Sequence, residues 1–262
     1  MKRLTTGLIL TPTFFWLVTF APSAVFLCAL ALVAVFCLYE FLGIAAATFP
    51  SCPNVQRFVP VYIAGLLFLL LPMHLWLLAV LFALAVMVYL TWRGPMQAVL
   101  PLSAALVLGL LYTFGSWRAA VELRAASPWW LLFAVAVNWV GDTFAFYGGK
   151  LFGQHKMAPE VSPNKTWEGA ACSVVMSTAL GLGLFAWKFP AIPLWKAGLL
   201  CMAANLSGQV GDLAESAMKR GAGVKDSGSI LPGHGGWLDR VDSSLFSVPV
   251  VYWILQAWGI IR

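Results

Sequence analysis

The chain reads as an all-α, polytopic integral membrane protein with about nine transmembrane helices, its N-terminus in the cytoplasm and its C-terminus outside. Three observations predict this. Of 262 residues, 61% are hydrophobic and only 10% charged, against about 25% charged in a soluble globular domain. Apolar runs long enough to cross a hydrocarbon core of roughly 30 Å recur from end to end. The charges that exist gather in short loops between those runs. The mean hydropathy of +0.86 agrees, and a β-barrel would show short alternating segments instead.

The spans are read at 5–20, 23–45, 58–73, 75–92, 98–116, 129–148, 170–188, 194–215 and 242–260. The first resembles a signal peptide, with Lys2 and Arg3 before it and Ala21-Pro22-Ser23 after it. A second long span follows at once, and no clean small-x-small cleavage site appears, so it is read as a span. Orientation follows from the basic residues. With the N-terminus inside, 11 lysines and arginines fall on the cytoplasmic side and 5 on the other, the bias expected of an N-in, C-out chain. This puts the two richest loops, 149–169 and 216–241, on one cytoplasmic face. The localisation expected is a bacterial inner (plasma) membrane with the active site facing the cytoplasm.

The net charge of +6 is spread over short loops and forms no exposed arm. That argues against nucleic acid and for topology signals and contacts to anionic lipid or nucleotide. Cys28, Cys37, Cys172 and Cys201 lie in apolar runs and Cys52 in a loop, with no C-x-x-C; they read as small buried hydrophobes. Residues 1–128 read as a scaffold of transmembrane helices and 129–262 as the catalytic region. The one charge within the scaffold spans, Glu40, either has a functional role or, the favoured reading, lies at the membrane interface.

Span eight is apolar except for Asn205, Gln209, Asp212 and Ser216, spaced 4, 3 and 4 apart, which puts them on one stripe of a helix. Such a stripe faces a bundle interior or a water-filled cavity. Interhelical hydrogen bonding accounts for Asn205 and Gln209. It does not account for Asp212, whose carboxylate needs a cation at this depth. Span six repeats the pattern with Asn138 and Asp142; Asp142 either lines a cavity or pairs with Lys150.

Only five aspartates occur in the chain, and three lie between Ser216 and Asp242. Here Lys219, Arg220, Lys225 and Arg240 supply positive charge for phosphates. Gly221, Gly223, Gly228, Gly233, Gly235 and Gly236 let backbone amides approach an anion. Asp226, Asp239 and Asp242 supply hard oxygen ligands suited to Mg²⁺. A basic loop that only sets topology would explain the cations but not the aspartates and glycines. His234 could be a general base, a phosphate donor or a turn residue. In the other loop, Ser162 and Lys165 can reach phosphate oxygens, and Thr166 is placed to cap the following helix. No G-x-x-x-x-G-K-[ST] occurs, so this is not a P-loop.

The run from Ser216 to Asp242 resembles the signature of the phosphatidate cytidylyltransferases (CDP-diacylglycerol synthases). That pattern is S-x-x-K-R, four residues, K-D, a spacer and H-G-G-x-x-D-R-x-D. Ser216, Lys219, Arg220, Lys225, Asp226, His234, Gly235, Gly236, Asp239, Arg240 and Asp242 fill every position. Two further elements match. S-P-x-K-T-x-E-G falls on Ser162, Pro163, Lys165, Thr166, Glu168 and Gly169. D-x-x-A-[FY]-x-x-G-[KR] falls on Asp142, Ala145, Phe146, Gly149 and Lys150.

The resemblance implies that CTP and phosphatidic acid give CDP-diacylglycerol and pyrophosphate, with Mg²⁺, and K⁺ as a candidate second ion, held by Asp212 and Asp239. It implies catalytic roles for Asp212, Asp239, Lys225, Asp226 and His234. Substrate contacts are expected from Asn138, Asp142, Ser162, Lys165, Lys219, Arg220, Gly235, Gly236, Arg240 and Asp242. The bilayer is the third partner, and a homodimer is left open. The alternative is a transporter or ion channel using intramembrane aspartates, but no inverted repeat is found. A CDP-alcohol phosphotransferase would need a D-G-x-x-A-R element, which is absent.

Overall fold

A computed structural model describes residues 2–49, 55–71, 76–230 and 235–261. Cys52, Gly233 and His234 lie outside the described residues. Helices occupy each stretch read as a span: α1 (Lys2–Thr19), α2 (Ser23–Thr48), α3 (Val59–Leu70), α4 (Trp76–Arg93), α5 (Val99–Leu110), α6 (Ser116–Ala126), α7 (Pro128–Phe152), α8 (Trp167–Lys188), α9 (Leu194–Gly221) and α10 (Leu238–Ala257). A π-turn at Leu111–Gly115 joins α5 to α6. Among the described residues, four helical segments are long and apolar enough to cross a membrane: Ser23–Thr48, Met96–Ala126, Pro128–Phe152 and Trp167–Lys188. Large apolar side chains such as Trp92, Leu100 and Leu151 point outward, as lipid-facing residues do.

Local chemistry sets the helix ends. Ser127 accepts a hydrogen bond from the Trp129 amide, and Pro128 opens α7, where its missing N–H costs nothing. Thr166 caps α8 by accepting from the Gly169 amide, as expected.

The loops depart from the reading in three ways. The fold is nearly all-α, because Lys156–Ala158 (β1) and Ser162–Thr166 (β2) form a small antiparallel hairpin. Gly149 to Phe152 still belong to α7, so 149–169 is a helix end plus that hairpin. Likewise α9 continues to Gly221 and α10 begins at Leu238, so that of the described residues only 222–230 and 235–237 are loop. Lys219 and Arg220 are therefore on the last helical turn, where the helix dipole favours cations.

The chain divides into two compact units: residues 1–17, 21–121 and 218–240, and residues 18–20, 122–217 and 241–262. The first unit thus combines the stretch read as scaffold with the 218–240 part of the motif loop. Its interior is built on α2, where Ala34, Leu38 and Leu42 are fully buried. Gly109 faces Leu38 and Phe41, and Gly65 faces the Phe114 ring. Arg118 donates to the Leu69 carbonyl at 2.7 Å.

The second unit packs α7, α8, α9 and the body of α10. Gly141 faces Asn205 and Ser173, Gly148 faces Cys172, Gly208 faces Asn138, and Gly211 faces Phe246 and the Asp242 carbonyl. Small residues at these points let helix backbones approach closely, the usual device where lipid provides no hydrophobic drive between helices. An aromatic cluster closes one end, with Trp130 stacked on Phe189 at 3.7 Å and Phe133 edge-on to Phe185.

Candidate active site

In the second unit three motif elements meet. The cap at Thr166 turns the chain from β2 into α8 and leaves Lys165 pointing at α9. Its Nζ lies 2.7 Å from Asp212 Oδ2. Ser216, one turn further along α9, donates to Asp212 Oδ1 at 3.3 Å. Above them the polar stripe continues. Gln209 donates to Asn205 Oδ1 at 2.6 Å, and Asn205 donates to Ser173 at 3.0 Å. The stripe faces the bundle, as its spacing predicts.

A cavity of about 240 Å³ opens beside the ion pair. Asp142, Phe146, Lys165, Gln209 and Asp212 line it, together with Met157, Asn164 and Leu213. Its wall is mostly apolar with a few polar groups, the usual make-up of a ligand site. Asp142 lines this cavity, the first of its two expected settings. Asp142 and Asp212 repel one another, and Asp242 lies within electrostatic reach of both and of the buried Glu215. Lys165 answers part of this negative charge.

In the first unit a second centre forms around Asp239, at the start of α10. Lys219 donates to Asp239 Oδ1 at 2.6 Å. The Ser227 amide donates to both carboxylate oxygens, and the Gly236 amide to Oδ2 at 2.8 Å. Gly235 takes φ +79° directly over Asp239, a conformation that glycine adopts freely. Burial alone would raise the Asp239 carboxyl. The hydrogen bond from Lys219, the two amides and the lysine charge outweigh it, and the net shift is downward.

Glu40 has a setting that the sequence did not reveal. It is 2% exposed, and the loop residues of its own unit satisfy it. Ser227 Oγ donates to Oε2 at 3.1 Å, the Trp237 amide to Oε1 at 3.1 Å and the Leu238 amide to Oε2 at 2.8 Å. Sequence reasoning also passed over Ser227, Ser173 and Glu215. The last sits three residues beyond Asp212, close enough along a helix to have been read with the stripe.

Other expected site residues are placed less centrally. Asn138 is buried, its amide committed to the Ala134 carbonyl and to Ser247 Oγ at 2.6 Å, and it ties α7 to α10. Ser162 opens β2, paired with Ala158. Lys225, Asp226 and Arg240 are exposed, as is Arg220, which donates to the Val224 carbonyl. Asp242 accepts from the Ser243 amide at 2.6 Å.

A divalent metal was expected on Asp212 and Asp239. Among the described residues, no three His, Cys, Asp or Glu side chains cluster closely enough to hold a metal ion. The donor chemistry still fits. Mg²⁺ is commonly bound by one or two carboxylates, with water and substrate phosphates completing the shell. Both aspartates already hold a cation, Lys165 and Lys219 respectively.

Residues 1–258 match the model of the cytidylyltransferase family. The chain belongs to that family. Named relatives agree. Similar proteins called phosphatidate cytidylyltransferase occur in Staphylococcus saprophyticus, 41% identical over 144 residues, and in Bacillus subtilis, 38% identical over 159 residues. The first alignment covers 55% of this chain and 53% of the relative; the second covers 60% and 57%. This cytidylyltransferase-family chain thus spans about half the length of the curated relatives it matches.

Proposed function

We propose that this chain transfers CMP from CTP to phosphatidic acid, giving CDP-diacylglycerol and pyrophosphate. The observation that carries the reading is the cavity of the second unit. There Asp142 and Lys165, from two separate stretches of the family pattern, and Asp212, from the polar stripe of α9, line one cavity.

The chemistry suits such a site. The phosphate monoester of phosphatidic acid is itself the nucleophile. Its oxygen attacks the α-phosphorus of CTP, a new P–O bond forms, and the bond to pyrophosphate breaks. No protein nucleophile is needed. The protein must hold two anionic substrates in line and neutralise charge on the phosphoryl oxygens. Lys165, Lys219, Arg220, Lys225 and Arg240 are assigned to substrate phosphates, and Asp212 and Asp239 to metal ligation. When bound, Mg²⁺ supplies charge neutralisation at the triphosphate and orients it.

The lipid enters sideways from the cytoplasmic leaflet in a chain that crosses the membrane nine times, N-in and C-out, with both motif loops in the cytoplasm. Hairpin and loop positions Glu160 and Ser229 are exposed. Cysteines placed there, in a cysteine-free background, are expected to resist an impermeant thiol reagent in intact cells. Labelling from outside would overturn this topology.

The activity is tested by giving the purified protein labelled CTP, phosphatidic acid and Mg²⁺. The expected product is a lipid-soluble cytidine nucleotide, with pyrophosphate released in equal amount. No lipid-soluble label, or label that forms without phosphatidic acid, would refute the reading.

A further inference from the structure

We infer that Glu40 is a positioning residue for the proposed transfer: from α2 it holds the loop stretches around Ser227 and Gly236–Leu238 and, through them, the Lys219–Asp239 pair. The inference rests on the reading above for its link to catalysis, but the tie itself does not depend on that reading.

A buried carboxylate is costly unless its oxygens are satisfied. Glu40 receives donations from both ends of the loop: Ser227 Oγ at one end, and the Trp237 and Leu238 amides at the other. The latter two belong to the start of α10, where backbone amides lack intrahelical partners and favour an anion. Asp239 makes the complementary set. It takes the Ser227 and Gly236 amides, so Ser227 gives its hydroxyl to Glu40 and its N–H to Asp239. Two carboxylates therefore grip the same two stretches of backbone from opposite sides.

Two features show that the fit is built in. Phe36, one helical turn before Glu40, stacks on Trp237 with 7° between the ring planes. Any side chain at Gly236 would strike Glu40 and the Ser227 hydroxyl, and one at Gly228 would meet Glu40 Oε1 at 2.6 Å. Glycine at both positions allows the loop to close over the carboxylate. Lys225 in this loop and Lys219 and Arg220 on the last turn of α9 form a set of cations that matches the triphosphate better than the singly phosphorylated lipid.

Glu40→Gln keeps the side-chain shape but turns an NH₂ group toward backbone donors. The full-length protein in detergent is expected to show two changes. Trypsin cleavage after Lys225, which is exposed, should quicken about tenfold. KM for CTP should rise about tenfold, with KM for phosphatidic acid moved less than threefold. A mere loss of folded molecules would lower kcat and leave both KM values in place. Glu40→Asp should recover part of both effects. If Glu40→Gln does not fold, Ser227→Ala, which removes one donation, should still quicken cleavage about threefold. Wild-type cleavage and wild-type KM for CTP in the variants would overturn the inference. If wild-type protein transfers no CMP, the functional reading fails, and cleavage alone still decides whether Glu40 holds the loop.

Discussion

Asp212 and Asp239 hold a lysine at nearly the same distance, 2.7 and 2.6 Å, yet the two pairs are built differently. The side chains of Lys219 and Asp239 are 10% and 8% exposed, those of Lys165 and Asp212 28% and 29%. Backbone amides wrap Asp239, and it has little freedom to exchange partners. Asp212 sits in mid-helix with one hydroxyl for company and opens onto a cavity that Asp142 shares. One pair is pre-organised by the fold; the other is open to exchange with whatever anion or cation enters. A buried pair is strongly coupled to structure, whereas a half-open pair contributes little to stability.

The largest effect that can break this comparison is at the carboxylates themselves. Asp212→Asn and Asp239→Asn are each expected to lower transfer more than about 10³-fold, if both act on phosphate and metal charge, with membrane insertion intact. They should differ in stability. Asp239→Asn should cost about 3 kcal/mol, seen as a lower melting temperature in detergent. Asp212→Asn should cost less than about 1 kcal/mol. Near-wild-type turnover by either variant would remove that residue from the site, and equal melting shifts would erase the distinction.

At intermediate size, Lys165→Ala and Lys225→Ala are each expected to lower kcat/KM by roughly 10- to 150-fold, the worth of a charge-assisted contact to phosphate. Arg93→Ala, a basic residue outside the motifs, should stay within about threefold of wild type. Equal losses at all three would mean that the lysines act through folding or insertion.

The smallest expected effect is on stability alone. Gly236→Ala places a methyl group against Glu40 and Ser227 and should cost about 1–3 kcal/mol. Gly221→Ala, with open space around it, should be neutral or slightly stabilising. A neutral Gly236→Ala would show that the loop has room to move and that its clamp is loose.

Much of this could be read from the chain. Apolar runs marked where helices form, because in lipid each segment must satisfy its own backbone. The four-three-four spacing of Asn205, Gln209, Asp212 and Ser216 located a polar face that the structure shows hydrogen-bonded along its length. Lys165 and Lys219 were chosen for phosphate, and the structure gives each an aspartate. What could not be read were pairings set by tertiary packing. Nothing local marks Glu40 as a buried carboxylate; its partners are a hydroxyl and amides from a distant loop. Nor does composition reveal that Asn138 is committed to Ser247, or that the loop between α7 and α8 pairs with itself as a hairpin.

The Glu40 tie also has a consequence in time. Ser227 follows Glu40 by 187 residues. At a synthesis rate of about 5–20 residues per second, the carboxylate leaves the ribosome roughly 10–40 s before the hydroxyl and amides that satisfy it. During that interval α2 carries an acid with no loop to receive it. The first unit therefore cannot finish until residues 227–238 have been made, and a nascent chain stalled before residue 227 would keep an unfinished and vulnerable N-terminal helix cluster.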